Sequence, residues 1–112
     1  MTKDAEKLLA QMYKRYLCAV ENGVPRFNAR LMGSPEDIHH SCWPEISTKD
    51  IVDLCGELED EQMLNCCPGD DAFVDCQLET KAIEYMENRM SRLLSSIRNG
   101  PLSIIELISR FF

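Results

Sequence analysis

The sequence predicts a mainly α-helical domain with one small β-hairpin, and three observations lead to that prediction. Apolar residues recur at helical spacing through several long stretches of the chain. Serines followed three residues later by aspartates mark two helix starts, at Ser34 and at Ser47. A turn signal, PGDD at 68–71, lies between two β-prone runs. Residues 34–78, which hold two capped helices and then the hairpin, therefore organise the rest of the chain.

Length and composition restrict the class of protein. The chain has 112 residues, 45% of them hydrophobic, so we expect a single domain over residues 1–112 with its own core. No apolar run approaches the ~18 residues of a membrane-spanning helix, and the charged N-terminal stretch is unlike a signal peptide. These features predict a cytoplasmic protein with no membrane partner. Its six cysteines are then expected to be reduced thiols.

The first helix is predicted to run from about Lys3 to Asn22. Its apolar residues keep helical period on one side, and Gly23 is a suitable C-terminal stop. Pro25 indicates the start of a second, short helix, which Gly33 ends. This short helix is expected to present an exposed basic pair, Arg26 and Arg30.

The third predicted helix begins at Ser34, which is suited to the N-cap position. Pro35 fits the first helical position, and Asp37 stands where a capping box places an acidic side chain. Pro44 ends this helix, because the residue before a proline, here Trp43, is disfavoured in helical backbone.

The fourth predicted helix repeats the same start signal at Ser47. Its apolar residues form a narrow stripe at helical spacing: Ile51, Leu54, Cys55 and Leu58. The turn between the two helices is short, so the helices are expected to pack closely at an angle. The opposite side of the fourth helix would then face outward and carry Lys49, Asp53, Gly56, Glu57 and Asp60.

The register of the hairpin follows from the pattern of apolar residues. Centring the loop on Asp70 pairs Leu64 with Cys76 and Cys66 with Val74, which places these side chains on one apolar face. Phe73 and Cys67 are then expected on the other face, toward solvent or a partner. In this register Cys66 and Cys76 are diagonal neighbours, so a disulfide between them is not favoured.

Two further helices are predicted after the hairpin. Thr80 is expected to cap the first, whose stripe comprises Ile83, Met86, Met90, Leu93, Leu94 and Ile97. The sequence Asn99–Gly100–Pro101 breaks the pattern. The tail to Phe112 is too apolar for one narrow face, so we expect one side on the first helix and another on a second copy of the chain. Ile105, Ile108 and Phe112 are the candidate contacts of such a homodimer.

The predicted order of helix, helix, helix, hairpin and long helix resembles the winged helix-turn-helix superfamily over roughly residues 3–98. The closest local likeness is to MarR-like regulators, in the run STKDIVDLCGELEDEQMLNCC. The LNCC run, the turn and VDCQLETKAIEYMENR also resemble small uncharacterised winged-helix proteins of bacterial and phage origin. The resemblance implies DNA binding and a winged helix-turn-helix with an extended C-terminal helical segment. It assigns the helix-turn-helix to 34–62, the wing to 63–78 and the C-terminal helices to 80–112.

The distribution of charge opposes the DNA-binding function that the resemblance implies. Residues 34–79 carry one basic residue, Lys49, against thirteen acidic ones, a net charge of −12. The flanking segments, 1–33 and 80–112, carry +3 and +2, which leaves −7 for the whole chain. The segment that should approach DNA is therefore the acidic one, and it would repel the phosphate backbone.

The recognition helix and the wing also differ from those of the regulators they resemble. MarR-like regulators usually place Arg, Lys, Ser or Thr where this chain has Asp53, Glu57 and Asp60. A DNA-binding wing usually carries a basic residue at its tip, where this chain has Asp70 and Asp71.

No pattern in the sequence indicates an enzyme, a cofactor or a metal site. The chain has no Gly-rich phosphate loop, nucleophile elbow or HExxH motif. The histidines and cysteines at His39, His40, Cys42, Cys66, Cys67 and Cys76 form no CxxC knuckle of the kind that binds structural zinc. The acidic residues at the end of the fourth helix are most simply a solvated helix terminus.

Two functions are compatible with these features. The first is a regulatory or protein-interaction module whose acidic face receives a protein partner, such as a basic one, or a second copy. Its candidate binding residues are Lys49, Asp53, Glu57, Asp60, Asp70, Asp71 and Phe73. The alternative is a DNA-binding transcriptional regulator. It would need basic residues outside the acidic face, and its candidates there are Lys14, Arg15, Arg26 and Arg30, together with Lys49 on the fourth helix itself.

Overall fold

A computed structural model describes residues 1–95 and 103–112, which form six helices and one two-stranded antiparallel sheet. The elements in chain order are α1 (Lys3–Glu21), α2 (Arg26–Ala29), α3 (Pro35–Cys42), α4 (Thr48–Asp60), β1 (Leu64–Pro68), β2 (Phe73–Leu78), α5 (Thr80–Ser95) and α6 (Ile104–Phe111). The protein is therefore mainly α-helical with a small β-hairpin, as predicted. The expected break at Asn99–Gly100–Pro101 lies outside the described residues, as do Ile97, Arg98 and Leu102.

The two helix starts predicted at serines are confirmed. In α3 the Ser34 hydroxyl accepts from the Asp37 amide at 3.3 Å, and the Asp37 carboxylate accepts from the Ser34 amide at 3.0 Å. In α4 the Ser47 hydroxyl accepts from the Asp50 amide at 3.1 Å. These bonds satisfy amides that have no partner within the helix, and they fix where each helix starts. The predicted end of α3 is also confirmed, because Trp43 has left helical geometry.

The predicted cap of α5 is displaced by one residue. The Glu79 carbonyl accepts the first helical hydrogen bond, from the Ile83 amide at 3.3 Å, so Glu79 precedes the helix and Thr80 is its first residue. The Thr80 hydroxyl instead accepts from the Arg30 guanidinium at 3.0 Å. Thr80 thereby connects α5 to the segment after α2.

Helices α1 and α4 end in the same backbone motif with different residues. The residue after each cap, Gly23 at φ 89° and Gln62 at φ 63°, has left-handed backbone. At both ends the amide of this residue and the next amide donate to carbonyls of the last turn, at 2.9–3.0 Å. This is the Schellman arrangement, which glycine adopts without steric cost and glutamine does not.

Helix α1 lies at the centre of the packing, because it contacts each of the other five helices in the described chain. Its inner side is completely buried at Leu8, Leu9 and Met12. Each such leucine stabilises the folded state by about 1.5–3 kcal/mol relative to exposure. Helices α3 and α4 also pack against each other, so the predicted close pair rests on α1 with the outward side of α4 free of the core.

The predicted register of the hairpin is wrong. The strands pair Leu64 with Leu78 and Cys66 with Cys76, which centres these pairs on Asp71 and not on Asp70. The last pair, Pro68 with Phe73, encloses a loop of four residues, 69–72, and not an odd-numbered loop. The two cysteines are therefore directly opposite and not diagonal. This register buries the leucine pair, 2% and 1% exposed, which the predicted register would have separated.

A bulge near the loop reverses the predicted sides of two more residues. The pairing of Cys67 with Asp75 is followed by that of Pro68 with Phe73, so Val74 is the extra residue. Val74 is consequently 58% exposed, whereas it was expected on the apolar face. Phe73 is half-buried and packs against the core, so it does not face solvent on the opposite side as predicted.

The segment between α2 and α3 adds a third, very short partner to the hairpin. An isolated antiparallel bridge joins Leu31 to Gln77. Two backbone hydrogen bonds, of 2.8 and 3.0 Å, connect residues 30–32 to β2 on the side away from β1. The outer side of β2 is thus hydrogen-bonded to the segment between α2 and α3.

Helix α6 packs on α1, as predicted, but its second apolar side packs against α5 of the same chain. Ile108 is completely buried in this packing, so its assignment as a dimer contact was wrong. The Phe112 ring is half-buried and lies 5.7 Å from the Arg89 guanidinium carbon. Ile105 is half-buried as well, and dimer formation through α6 stays a prediction. Within the described ranges, every helix is too short or too polar to traverse a bilayer.

Candidate interaction surface

The outward side of α4 and the hairpin loop together form an acidic surface. We define it by five exposed carboxylates: Asp50, Asp53, Asp60, Asp70 and Asp71. The first three lie on α4, and the hairpin loop, 69–72, carries the last two. Lys49, also exposed, is the single basic residue of this part of the sequence.

Glu57, another candidate on α4, is engaged within the protein. Its carboxylate accepts from the Thr2 amide at 2.8 Å and from the Thr2 hydroxyl at 3.2 Å. These hydrogen bonds stabilise the ionised form and hold the pKa of Glu57 below its ordinary value. Glu57 therefore connects the start of α1 to α4, and it is less available to a partner than Asp53 or Asp60.

Glu59, which was expected to be solvated at the end of α4, also makes a contact within the protein. Its carboxylate accepts a hydrogen bond of 2.9 Å from the Cys66 amide in β1. Because an ionised acceptor makes the stronger kind of hydrogen bond, this contact fixes β1 against the end of α4. The loop carboxylates of the hairpin are thereby held beside those of the helix.

A pocket of about 270 Å³ opens where α3 turns into α4. We call it the α3–α4 pocket, and six residues line it: Asp4, Trp43, Ile46, Asp50, Asp53 and Leu54. The apolar members are half-buried, while the three aspartates are exposed. An apolar floor with a carboxylate rim suits a side chain that has an aliphatic stem and a cationic end.

The indole of Trp43 already contacts one cation. The Lys7 ammonium of α1 lies 4.4 Å from the centroid of the Trp43 ring. That distance is within cation–π range, since the face of an aromatic ring is its negative region. Lys7 lines a neighbouring cavity that the Trp43 indole also borders, and not the α3–α4 pocket itself.

A second concave region, the α4–hairpin cleft, has a volume of about 310 Å³. Its lining comes from α4 and from the hairpin, and includes Gly56, Asp70, Asp71 and Phe73. Gly56 leaves room on the helix side, because a side chain there would meet nothing within 4 Å. Of the predicted partner-binding residues, the three of the hairpin, Asp70, Asp71 and Phe73, line this cleft, whereas those of α4 lie outside it.

Most of the candidate DNA-binding residues are bonded within the protein. Arg15 donates to the Met32 carbonyl at 2.8 Å and to the Ser41 hydroxyl at 3.0 Å. Lys14 donates to Ser109 at 2.8 Å. The Arg26 guanidinium donates a hydrogen bond to the Tyr16 hydroxyl at 3.3 Å, and the Arg30 guanidinium donates one to the Thr80 hydroxyl at 3.0 Å. Lys49 is the candidate that projects from α4, among acidic residues.

The α3–α4 pocket could not be predicted from the sequence, because its members come from distant positions. Asp4 belongs to α1, whereas Trp43 lies directly after α3. The spacing of Trp43, Ile46 and Leu54 in the sequence gives no direct sign that they share a floor. The one available signal was an aromatic residue just before the proline of the short turn.

The geometry of the described residues gives no sign of a metal centre. Within residues 1–95 and 103–112, no three His, Cys, Asp or Glu side chains are grouped so that they could hold a metal ion. His39 and His40 are adjacent on α3, with ring centroids 5.5 Å apart in an edge-to-face arrangement.

Comparison of the chain with protein-family models, curated proteins and solved structures finds no match.

Proposed function

We propose that this chain is a non-catalytic protein-interaction module on a winged helix-turn-helix scaffold, and that it binds a basic segment of a partner protein. The contact would be made by the acidic surface and the α3–α4 pocket. The observation that carries the proposal is the pocket, in which three carboxylates border an apolar floor that includes an indole.

The arrangement of elements supports the scaffold. Two short helices joined by a tight turn are followed directly by a hairpin and a longer helix, which is the order of a winged helix-turn-helix. The bridge between Leu31 and Gln77 supports it further, because it adds a rudimentary third strand from the segment that precedes the helix pair. On this scaffold α4 occupies the position of the recognition helix.

Electrostatics support a protein partner over nucleic acid. Charge–charge attraction to phosphates supplies most non-specific affinity for DNA, and aspartates on the outward side of α4 would oppose it. The same charges raise the rate at which a basic protein surface is encountered and favour its correct orientation. A carboxylate-rich recognition helix therefore favours a cationic partner.

The pocket limits the chemistry of the partner residue that enters it. A volume of about 270 Å³ is enough for one long side chain and not for a folded element. Arginine satisfies both the floor and the rim, since its stem packs on apolar groups and its guanidinium pairs with carboxylates and stacks on aromatic rings. We therefore infer an arginine, flanked by apolar residues, as the anchor.

The single tryptophan of the chain makes a direct test possible. Trp43 lines the pocket and is the single tryptophan, so its fluorescence responds to a ligand that enters the pocket. Titration with a peptide of alternating arginine and leucine should change the emission in a saturable manner, and added salt should weaken binding. The same peptide with glutamate in place of arginine is the control and should leave the emission unchanged.

Matched variants determine whether the carboxylates are responsible. The double variant Asp50→Asn/Asp53→Asn should lower the peptide affinity by roughly fivefold, because each exposed charge pair contributes about 0.2–1 kcal/mol. Glu84→Gln on α5 removes an exposed acid far from the pocket and should have no effect. Equal affinity of all three proteins would contradict the proposal.

The scaffold itself favours a second candidate, a DNA-binding transcriptional regulator. Such a protein would have to use Arg26 and Arg30, since the recognition helix is acidic. A gel-shift titration with random duplex at low salt tests this alternative. Micromolar binding that salt abolishes, and that Arg26→Ala/Arg30→Ala removes, would replace the interaction module by the regulator.

A further inference from the structure

Two thiols face each other across the hairpin, in a position that neither the fold nor the proposed function requires. Cys66 and Cys76 are direct partners on β1 and β2, and their sulfur atoms are 3.5 Å apart. All six cysteines lie in the described part of the chain and are free. The acidic surface is on α4 and the loop, so the thiol pair is a separate feature.

The backbone hydrogen bonds show which type of strand pair the two cysteines form. The Cys76 carbonyl accepts from the Met32 amide at 2.8 Å, on the side away from β1. The Cys66 amide donates to the Glu59 carboxylate at 2.9 Å and so points away from β2. Both residues thus direct their backbone groups outward, which identifies a non-hydrogen-bonded pair.

That pair type is suited to a disulfide. In a non-hydrogen-bonded antiparallel pair the Cα atoms are about 4.5 Å apart and the side chains are at their closest. Disulfides span Cα distances of about 4.4–6.8 Å. Closing the sulfur–sulfur distance therefore requires side-chain rotation and little movement of the backbone.

Access to the two thiols is unequal. Both line an open cleft of about 350 Å³ on the hairpin. Cys66 is half-buried, whereas Cys76 is only 2% exposed. A dissolved reagent can reach Cys66 first, and Cys76 is then positioned to attack the Cys66 sulfur.

We propose that Cys66 and Cys76 are an oxidation site that forms an intramolecular disulfide by exchange with a small-molecule disulfide such as oxidised glutathione. The Cys66 thiolate attacks one sulfur of the reagent and releases its other half as a thiolate, leaving a mixed disulfide. The Cys76 thiolate then attacks the Cys66 sulfur and releases the second half. Two reagent thiols take up the two protons and two electrons that the protein thiols lose.

The surroundings of the pair determine the rate of this reaction. The hydrogen bond to Cys76, together with burial, raises the pKa of the Cys66 thiol, and a hydrogen bond with Cys55 raises that of Cys76. Because the thiolate is the nucleophile, exchange is slow at neutral pH. The rate is expected to increase ~10-fold per pH unit between mildly acidic and mildly alkaline solution.

The disulfide would fix the register of the hairpin. The loop 69–72, which carries Asp70 and Asp71, begins three residues after Cys66 and ends four residues before Cys76. A bond between the strands prevents them from separating or slipping. Oxidation would therefore hold the loop carboxylates beside α4 more rigidly than the reduced hairpin does.

The test is a disulfide map of the full chain after incubation with oxidised glutathione. Remaining thiols are blocked, and the protein is cut with an endoproteinase that cleaves before aspartate. Cleavage at Asp70, Asp71 and Asp75 separates the strands, so only a disulfide can keep them together. The expected product is a cross-linked pair of peptides, one from each strand, that carries no glutathione and separates on reduction.

Two variants assign the bond to one of the adjacent cysteines of β1. Cys67→Ser should retain the cross-link, because Cys67 is exposed on the other side of the strand. Cys66→Ser should lose it. The proposal is overturned if the wild-type strands separate without reductant, if the cross-link survives in Cys66→Ser, or if Cys76 is found bonded to Cys55 instead.

Discussion

Helices α1 and α4 pack against each other and share the same end motif, yet their outer polar side chains serve different purposes. Three of the four basic residues of α1 contact other elements: Lys7 lies over an indole, and Lys14 and Arg15 donate hydrogen bonds. The carboxylates of α4 divide into two groups, because Glu57 and Glu59 accept hydrogen bonds from other elements while Asp53 and Asp60 are exposed. The difference teaches that the basic side chains of α1 mostly stabilise the fold, whereas α4 retains carboxylates that are accessible from solvent.

The largest expected effect comes from removing one of the engaged basic residues. Arg15→Ala should lower the free energy of unfolding by about 2 kcal/mol, because two hydrogen bonds from a charged donor are lost. Lys49→Ala, on exposed α4, should change it by less than about 0.5 kcal/mol. Urea unfolding followed by Trp43 fluorescence measures both values. Similar losses would remove the distinction between the two helices.

The shared end motif provides a pair of substitutions with opposite expected signs. Gly23→Ala should destabilise the protein by about 1 kcal/mol, since alanine resists left-handed backbone although the site has space for its methyl group. Gln62→Gly should stabilise it by a similar amount, about 1 kcal/mol, for the same reason. Thermal unfolding of both variants checks the signs, and a destabilised Gln62→Gly would refute this account of the α4 terminus.

The smallest effect concerns the contact that joins the two helices. The pKa of Glu57 is lowered in the folded state by hydrogen bonds from Thr2. Its contribution to stability is therefore fully present above the ordinary glutamate pKa and is lost as the pH falls through the lowered value. The difference in unfolding free energy between wild type and Glu57→Gln should be measurable at neutral pH and disappear in acid. A difference that is constant with pH would contradict this assignment.

Local features of the fold could be predicted from the sequence, because each depends on a few neighbouring residues. The caps at Ser34 and Ser47, the stop at Gly23 and the helical stripe of α4 belong to this class. The register of the hairpin could not be predicted with the same rule. The apolar pattern alone allowed Val74 into the buried face, and it is the bulge between the Cys67–Asp75 and Pro68–Phe73 pairs that displaces it.

The candidate site was predictable in its charge and not in its shape. The sequence identifies the acidic residues of α4 and the loop directly. The α3–α4 pocket depends on the angle at which α1 brings Asp4 to Trp43, and nothing in the local sequence specifies that angle. The hydrogen bonds of Arg15 were not predictable from the local sequence either. Arg15 was a candidate DNA contact, and in the structure its guanidinium donates to Ser41 and so connects α1 to α3.

The hydrogen bond from the Cys66 amide to Glu59 also has a consequence for self-association. Strand β1 is the outer edge of the hairpin, since β2 lies between it and residues 30–32. Open strand edges recruit strands of neighbouring molecules and so promote aggregation. A carboxylate that occupies an edge amide, with Pro68 two residues further along, leaves an incoming strand few donors to pair with and places a negative charge in its path.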